Sequence, residues 1–190
     1  SSDLFAFDFA RTTKKKHVTS ATKSNGIIHT MPFWDEIVDE VATRYPTVTT
    51  RKVLIDALAA ELVQRPHEFD VIVASNLFGD ILSDLAAATV GSLGIAASAN
   101  LDPERRYPSM FEPVHGSAPD IMGKGIANPI AAIWSGAMML EHLGHAEISG
   151  RVMTAIAATL SSPATRTADL GGTSDTEGVT NAVIAALNAS

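Results

Sequence analysis

Phe69-Asp70-Val71-Ile72-Val73-Ala74 runs directly into Ser75-Asn76-Leu77-Phe78-Gly79-Asp80-Ile81-Leu82-Ser83-Asp84. The first piece is nearly all apolar, which predicts a strand covered on both faces. The second changes to helical spacing, and the helix is expected from about 78 to 89. A buried strand feeding a helix is the unit of layered α/β folds. Open sheets of that kind gather ligands at the carboxyl ends of their strands. Asp80 and Asp84 stand four apart, so a helix places both carboxylates on one face. Two such charges repel unless a cation lies between them, and carboxylate oxygens suit Mg²⁺ or Mn²⁺. The alternative is a solvated acidic helix start, favoured by the helix dipole.

The same alternation extends outward. Residues 5–15 read as the tail of a helix that begins before the chain does. The basic tract Arg11, Lys14, Lys15 and Lys16 then leads into strand-like His17-Val18-Thr19. Residues 32–45 form an amphipathic helix, with Phe33, Ile37 and Val41 opposite Asp35, Glu36, Asp39 and Glu40. A β-branched strand is expected at 48–55 and a short helix at 57–64. Residues 91–125 hold five Gly and four Pro and read as short strands and loops, with apolar pieces at 94–97 and 110–111. Asn128-Pro129 opens a helix that ends near 143–144, with Asn128 as cap. Helices at 147–160 and 176–187 follow, the last capped by Ser174 or Thr176. No internal repeat or low-complexity linker interrupts this α/β order.

Composition narrows the function. The 14 basic against 21 acidic residues give a net charge of −7, which excludes a protein that coats nucleic acid. At 46% hydrophobic and 18% charged, the chain has the balance of a cored globular protein. The absence of cysteine excludes a disulfide scaffold, a thiolate metal site and a Cys nucleophile. It leans towards the cytoplasm. Ser1-Ser2-Asp3-Leu4-Phe5-Ala6-Phe7-Asp8 is not a leader, and the apolar stretch 130–143 is too short to span a bilayer. Neither nucleic acid nor membrane is expected as a partner.

Three further places carry chemistry. Asp56 ends the expected strand 48–55, where it serves either as a helix cap or as a ligand. Lys23 enters a polar turn in Thr22-Lys23-Ser24-Asn25. A lysine near a metal has a lowered pKa and exchanges protons near neutrality, whereas a surface lysine is merely solvated. In Glu112-Pro113-Val114-His115-Gly116-Ser117-Ala118-Pro119-Asp120-Ile121, backbone N–H groups of Gly116 and Ser117 can meet a phosphate. Asp120 there can accept from a ribose diol. The alternative is a proline-stiffened loop. Gly123-Lys124-Gly125-Ile126-Ala127-Asn128 imitates a Rossmann finger but lacks its strand and its last Gly.

Taken together, Val18-Thr19-Ser20 with Lys23-Ser24-Asn25, Ile55-Asp56, residues 75–84, and residues 112–121 with Gly123-Lys124 and Ile126-Ala127-Asn128-Pro129 resemble the β-decarboxylating dehydrogenases. That family includes isocitrate, 3-isopropylmalate, homoisocitrate and tartrate/D-malate dehydrogenases. The motifs occur in the family's order, from about residue 5 to the end of the chain. Thr22-Lys23-Ser24-Asn25-Gly26 and Ser98-Ala99-Asn100-Leu101-Asp102-Pro103-Glu104-Arg105 look like the tartrate/D-malate branch.

The resemblance implies NAD- and Mg²⁺- or Mn²⁺-dependent oxidation of a 2-hydroxy dicarboxylate such as D-malate or tartrate, with loss of CO₂. It assigns Lys23 and Asp56 to catalysis and Asp56, Asp80 and Asp84 to the metal. It assigns Asn25, Glu112, His115, Gly116, Ser117, Ala118, Asp120 and Asn128 to the cofactor, with Asp120 favouring NAD over NADP. It also implies a homodimer in which Lys23 and Asp56 of one chain meet Asp80 and Asp84 of the other. The expected fold is the later half of an isopropylmalate dehydrogenase-like two-domain α/β architecture. Residues 1–84 would belong to the smaller, dimerising domain and 85–190 to the larger, cofactor-binding domain. The arginines that clamp the substrate and a catalytic tyrosine would lie in the half not present. The competing readings are a 3-isopropylmalate or isocitrate dehydrogenase, and a truncated chain that only dimerises or binds nucleotide.

Overall fold

Strand β1 (His17–Thr22) is the middle of a three-stranded parallel sheet with β2 (Thr49–Leu54) and β3 (Val71–Val73), in the order β2-β1-β3. This is a computed structural model, and it describes residues 2–189. Parallel neighbours need a crossover, here supplied by α2 (Met31–Ala42) between β1 and β2 and by α3 (Ile55–Gln64) between β2 and β3. The period of two along a strand then decides which helix meets which side chain. Val18 pairs with Val71 and Ser20 with Val73. Val18 and Val73 join Ala6, Phe7 and Ala10 of α1 (Ser2–Ala10) and Val38 and Val41 of α2. Ala21 points the other way, into Leu58 and Leu62 of α3 and Phe78 and Leu82 of α4 (Asn76–Val90). Each large apolar side chain so buried contributes about 1.5–3 kcal/mol.

The deepest strand is not the one its apolar sequence announces. The expected run 69–74 shortens to Val71–Val73, an edge strand with only Val73 fully buried. Phe69 closes a 3₁₀ turn by donating its N–H to Pro66 O, and the Asp70 carboxylate accepts from the His17 N–H at 3.1 Å. Burial on both sides falls to β1, in which all but His17 are buried, three of them hydroxyl residues. Trp34 of α2 donates from Nε1 to Ser20 Oγ at 2.9 Å and so satisfies one of them.

Other bounds also shift. α1 stops at Ala10, and residues 11–15 turn instead of continuing the helix. α2 ends at Ala42, after which Thr43, Arg44 and Tyr45 donate to carbonyls three residues back. α3 starts at Ile55, so Asp56 lies inside the first turn and Leu54 takes the cap position.

The chain divides into two compact units between Thr89 and Val90, at the last residue of α4, five residues beyond the expected division after residue 84. The second unit has an antiparallel pair, β4 (Ala97–Asn100) and β5 (Met110–Pro113), in which Ser98 faces Glu112. The expected apolar piece 94–97 is split between a 3₁₀ turn, Leu93–Ile95, and the first residue of β4. Helices α5 (Ile130–His142), α6 (Ala146–Leu160) and α7 (Thr176–Ala189) pack in sequence around Ile95, Ile130, Ala155, Ile156, Val179 and Val183. Asn128 Oδ1 accepts from the Ile130 N–H at 3.0 Å, although Pro129 holds the formal cap position of α5. α7 is capped by Asp175, whose Oδ1 accepts from the Gly178 N–H at 2.7 Å, rather than by Ser174 or Thr176. Among the described residues no helix is long and apolar enough to cross a membrane.

Candidate active site

The parallel register sets Thr22 beside Leu54, so β1 and β2 end together. Lys23 follows directly, and its carbonyl accepts from the N–H groups of Gly26 at 2.9 Å and Ile27 at 2.8 Å. That turn holds the backbone at Lys23 while the side chain reaches across to α3. Lys23 Nζ donates to Asp56 Oδ1 at 2.7 Å. The Lys23 side chain is 29% exposed and that of Asp56 67%. The hydrogen bond from Lys23 holds the Asp56 carboxyl below its ordinary value, helped by the N–H groups of Asp56 and Ala57 at the start of the helix. An ion pair this exposed adds little stability, so its consequence is the position of Nζ.

Asp80 and Asp84 lie one turn apart on the exposed face of α4, where Leu77 and Ile81 are also exposed. Neither carboxylate has a hydrogen bond or ion pair among the described residues. Two unengaged carboxylates on one helical face suit a hard divalent cation. Asp56 does not join them: among the described residues no three ligating side chains gather in one chain. Asn25 is exposed in the turn after Lys23.

The cofactor candidates lie in the second unit, Asn25 excepted. Glu112 is exposed on β5. Val114 ends the pairing by donating to Ala96 O at 3.0 Å, and the chain then opens. The N–H groups of His115, Gly116, Ser117 and Ala118 have no acceptor among the described residues, and all four residues are exposed. His115 Nδ1 sits 3.0 Å from Gly116 O, and Ala118 takes a left-handed φ of 41. Asp120 is exposed two residues later. A run of free N–H donors beside a serine hydroxyl and a carboxylate suits a pyrophosphate and a ribose diol. Gly123 and Gly125 are left-handed turn residues with no strand before them, so the Rossmann imitation is a turn.

Asn128 is engaged at both ends, with Nδ2 donating to Asp169 Oδ2 at 3.0 Å while Oδ1 accepts from Ile130. Asp169 also accepts from Ser92 Oγ. Neither Asp169 nor Ser92 stood out in sequence. The one sequence feature beside Asp169 is the Gly171-Gly172 pair that follows it, a turn signal and not a site motif.

The profile of the isocitrate/isopropylmalate dehydrogenase family matches residues 4–184. The chain belongs to that family. It is 52% identical over 183 residues to a "Probable tartrate dehydrogenase/decarboxylase" of Bacillus subtilis, covering 96% of this chain and 51% of that one. It is 60% identical over 143 residues to "D-malate dehydrogenase [decarboxylating]" of Escherichia coli, covering 75% and 40%. A "Tartrate dehydrogenase/decarboxylase" of Pseudomonas putida is 54% identical over 185 residues, covering 94% and 50%. The crystal structure of an isocitrate dehydrogenase from Methylococcus capsulatus superposes with a TM-score of 0.92 at 41% identity, covering 97% of this chain and 54% of that one. The resemblance to this family, and its α/β fold, therefore hold. The chain spans about half the length of the relatives it matches.

Proposed function

We propose that this chain supplies part of an enzyme that oxidises a 2-hydroxy dicarboxylate, D-malate or tartrate, and then releases CO₂. The observation that carries the proposal is the Lys23–Asp56 pair at the joined ends of β1 and β2, a proton-carrying group held in place at a sheet's carboxyl edge. The substrate class is supported by the relatives named for tartrate and D-malate, which are 52–60% identical, against 41% for the isocitrate dehydrogenase structure.

NAD supplies the hydride acceptor when bound, and Mg²⁺ or Mn²⁺ supplies Lewis acidity. Asp80 and Asp84 of one chain, with Asp56 of a second, are the residues that would hold the cation in a homodimer. Lys23 Nζ exchanges a proton with the substrate hydroxyl during oxidation. Asp56 keeps that ammonium aimed at the site. The free N–H groups of residues 115–118 bind the cofactor's phosphates, Asp120 accepts from its ribose, and Asn128 meets its adenine. Glu112 borders that loop from β5, and Asn25 lies towards the nicotinamide. A carboxylate at Asp120 repels a 2′-phosphate and so favours NAD over NADP. The cytoplasm suits a cysteine-free enzyme of this kind.

Product analysis tests this reading on the polypeptide that the natural gene encodes. D-malate, NAD and Mn²⁺ should yield pyruvate, CO₂ and NADH in equal amounts. NADH without CO₂ would remove the decarboxylation from the account.

A further inference from the structure

We propose that Asp169 is the positioning residue of the adenosine site, fixing the amide of Asn128 from a turn 41 residues further along the chain. The inference rests on the reading that Asn128 meets the cofactor's adenine.

Asp169 lies in the 3₁₀ turn Ala168–Leu170, which Gly171 closes with a left-handed φ of 72. Its Oδ2 accepts from Asn128 Nδ2 at 3.0 Å and from Ser92 Oγ. Ser92 Oγ accepts in turn from the Gly94 N–H at 2.8 Å. Three distant segments thus meet at one carboxylate oxygen, and they meet tightly. A Cβ added at Gly94 would lie 2.8 Å from Asn128 Cβ and 2.9 Å from Asp169 Oδ2. Burial would push the Asp169 carboxyl up, but its hydrogen-bonding surroundings, Ser92 foremost, then Thr167, Asn128 and its own backbone N–H, outweigh that and hold it below its ordinary value. The acceptor is therefore a carboxylate, and charge-assisted bonds are roughly twice as strong as neutral ones.

The consequence lies in the amide. A free asparagine offers oxygen or nitrogen to a ligand in either of two orientations. Here a half-turn of the Asn128 amide would set Oδ1 against the Asp169 carboxylate, acceptor against acceptor. It would also set Nδ2 against the Ile130 N–H, donor against donor. The flip is excluded. Each end keeps spare capacity: the second hydrogen on Nδ2 and the second lone pair on Oδ1. The orientation so fixed decides which end of the amide, donor or acceptor, a base such as adenine would meet.

The test is equilibrium binding of AMP to the whole chain by calorimetry, a readout independent of turnover. Asn128→Ala should weaken AMP about tenfold, the worth of one hydrogen bond. Asp169→Ala should weaken it comparably, and the double variant should be no weaker than Asn128→Ala alone, because the two act as one unit. Asp169→Asn, which still accepts from Nδ2, should recover most of the loss. Ser92→Ala, which removes one bond to Asp169, should weaken AMP about twofold to threefold and serves if Asp169→Ala does not fold. Unchanged AMP binding in Asp169→Ala or Ser92→Ala, or a double variant whose two losses multiply, overturns the proposal while leaving Asn128 in the adenosine site. Unchanged binding in Asn128→Ala is a different result. It overturns the adenosine assignment itself, and the role of Asp169 with it.

Discussion

Lys23 and Asp56 are 33 residues apart in sequence and 2.7 Å apart in space. The parallel register of β1 and β2 brings them together, because it ends both strands at the same level. Neither residue stands out alone, since a lysine in a turn and an aspartate after a strand are both ordinary surface features. Their pairing at the carboxyl edge of the sheet is the observation on which the proposed proton-handling role rests.

Lys23→Met keeps the aliphatic stem and removes the ammonium. Turnover should fall about 10²–10⁴-fold, the usual contribution of a positioned acid or base. Because the lost ion pair is exposed, the melting temperature should hardly move. Steady-state kinetics beside a thermal melt separate the two effects. Retained turnover would leave Lys23 without its assigned role.

Asp80→Asn and Asp84→Asn should each weaken Mn²⁺ by about tenfold or more, since even outer-shell changes cost 10–100-fold. Electron paramagnetic resonance of free Mn²⁺ reads this without turnover. The same variants test the division of the site. Mixing inactive Lys23→Met with inactive Asp80→Asn should restore activity, because each hybrid dimer regains one site with both residues intact. If the site lay within one chain, the mixture would stay dead.

The core carries its own expectations. Leu58 is fully buried under the sheet, so Leu58→Ala should cost about 2–5 kcal/mol in denaturant unfolding. Trp34→Phe should cost about 1–3 kcal/mol, because it strips the donor from Ser20, a hydroxyl only 1% exposed.

Asp169 predicts a pH dependence. Its carboxyl titrates below the ordinary value of 3.8 in the folded chain, so its stabilisation is present above that value and fades as pH falls through the folded one. Asp169→Asn should therefore lower the melting temperature at neutral pH. The gap to the natural protein should close as the solution is taken below pH 3.8. A gap that stays constant with pH would mean the charge contributes nothing.

What could be read from the sequence was local. Asp80 and Asp84 share a helical face because four residues separate them, and the α/β order follows from runs of period and apolarity. The central strand was harder to see. His17-Val18-Thr19-Ser20-Ala21-Thr22 carries three hydroxyls, which mask its burial, while 69–74 is nearly all apolar. Neighbours on both sides bury β1, and a single neighbour leaves β3 at the edge, which no single strand's composition reports. Asp169 was hidden for a related reason. Its partners Ser92 and Asn128 lie 77 and 41 residues away, and only the fold brings them to one oxygen.

The assignment of D-malate or tartrate as substrate is tested with a panel of acids. The polypeptide of the natural gene, with NAD and Mn²⁺, is offered D-malate, tartrate, 3-isopropylmalate and isocitrate, and NADH formation is followed. NADH should form with D-malate or tartrate at a kcat/KM well above that for the other two. Turnover of 3-isopropylmalate or isocitrate with D-malate and tartrate both inert would contradict it.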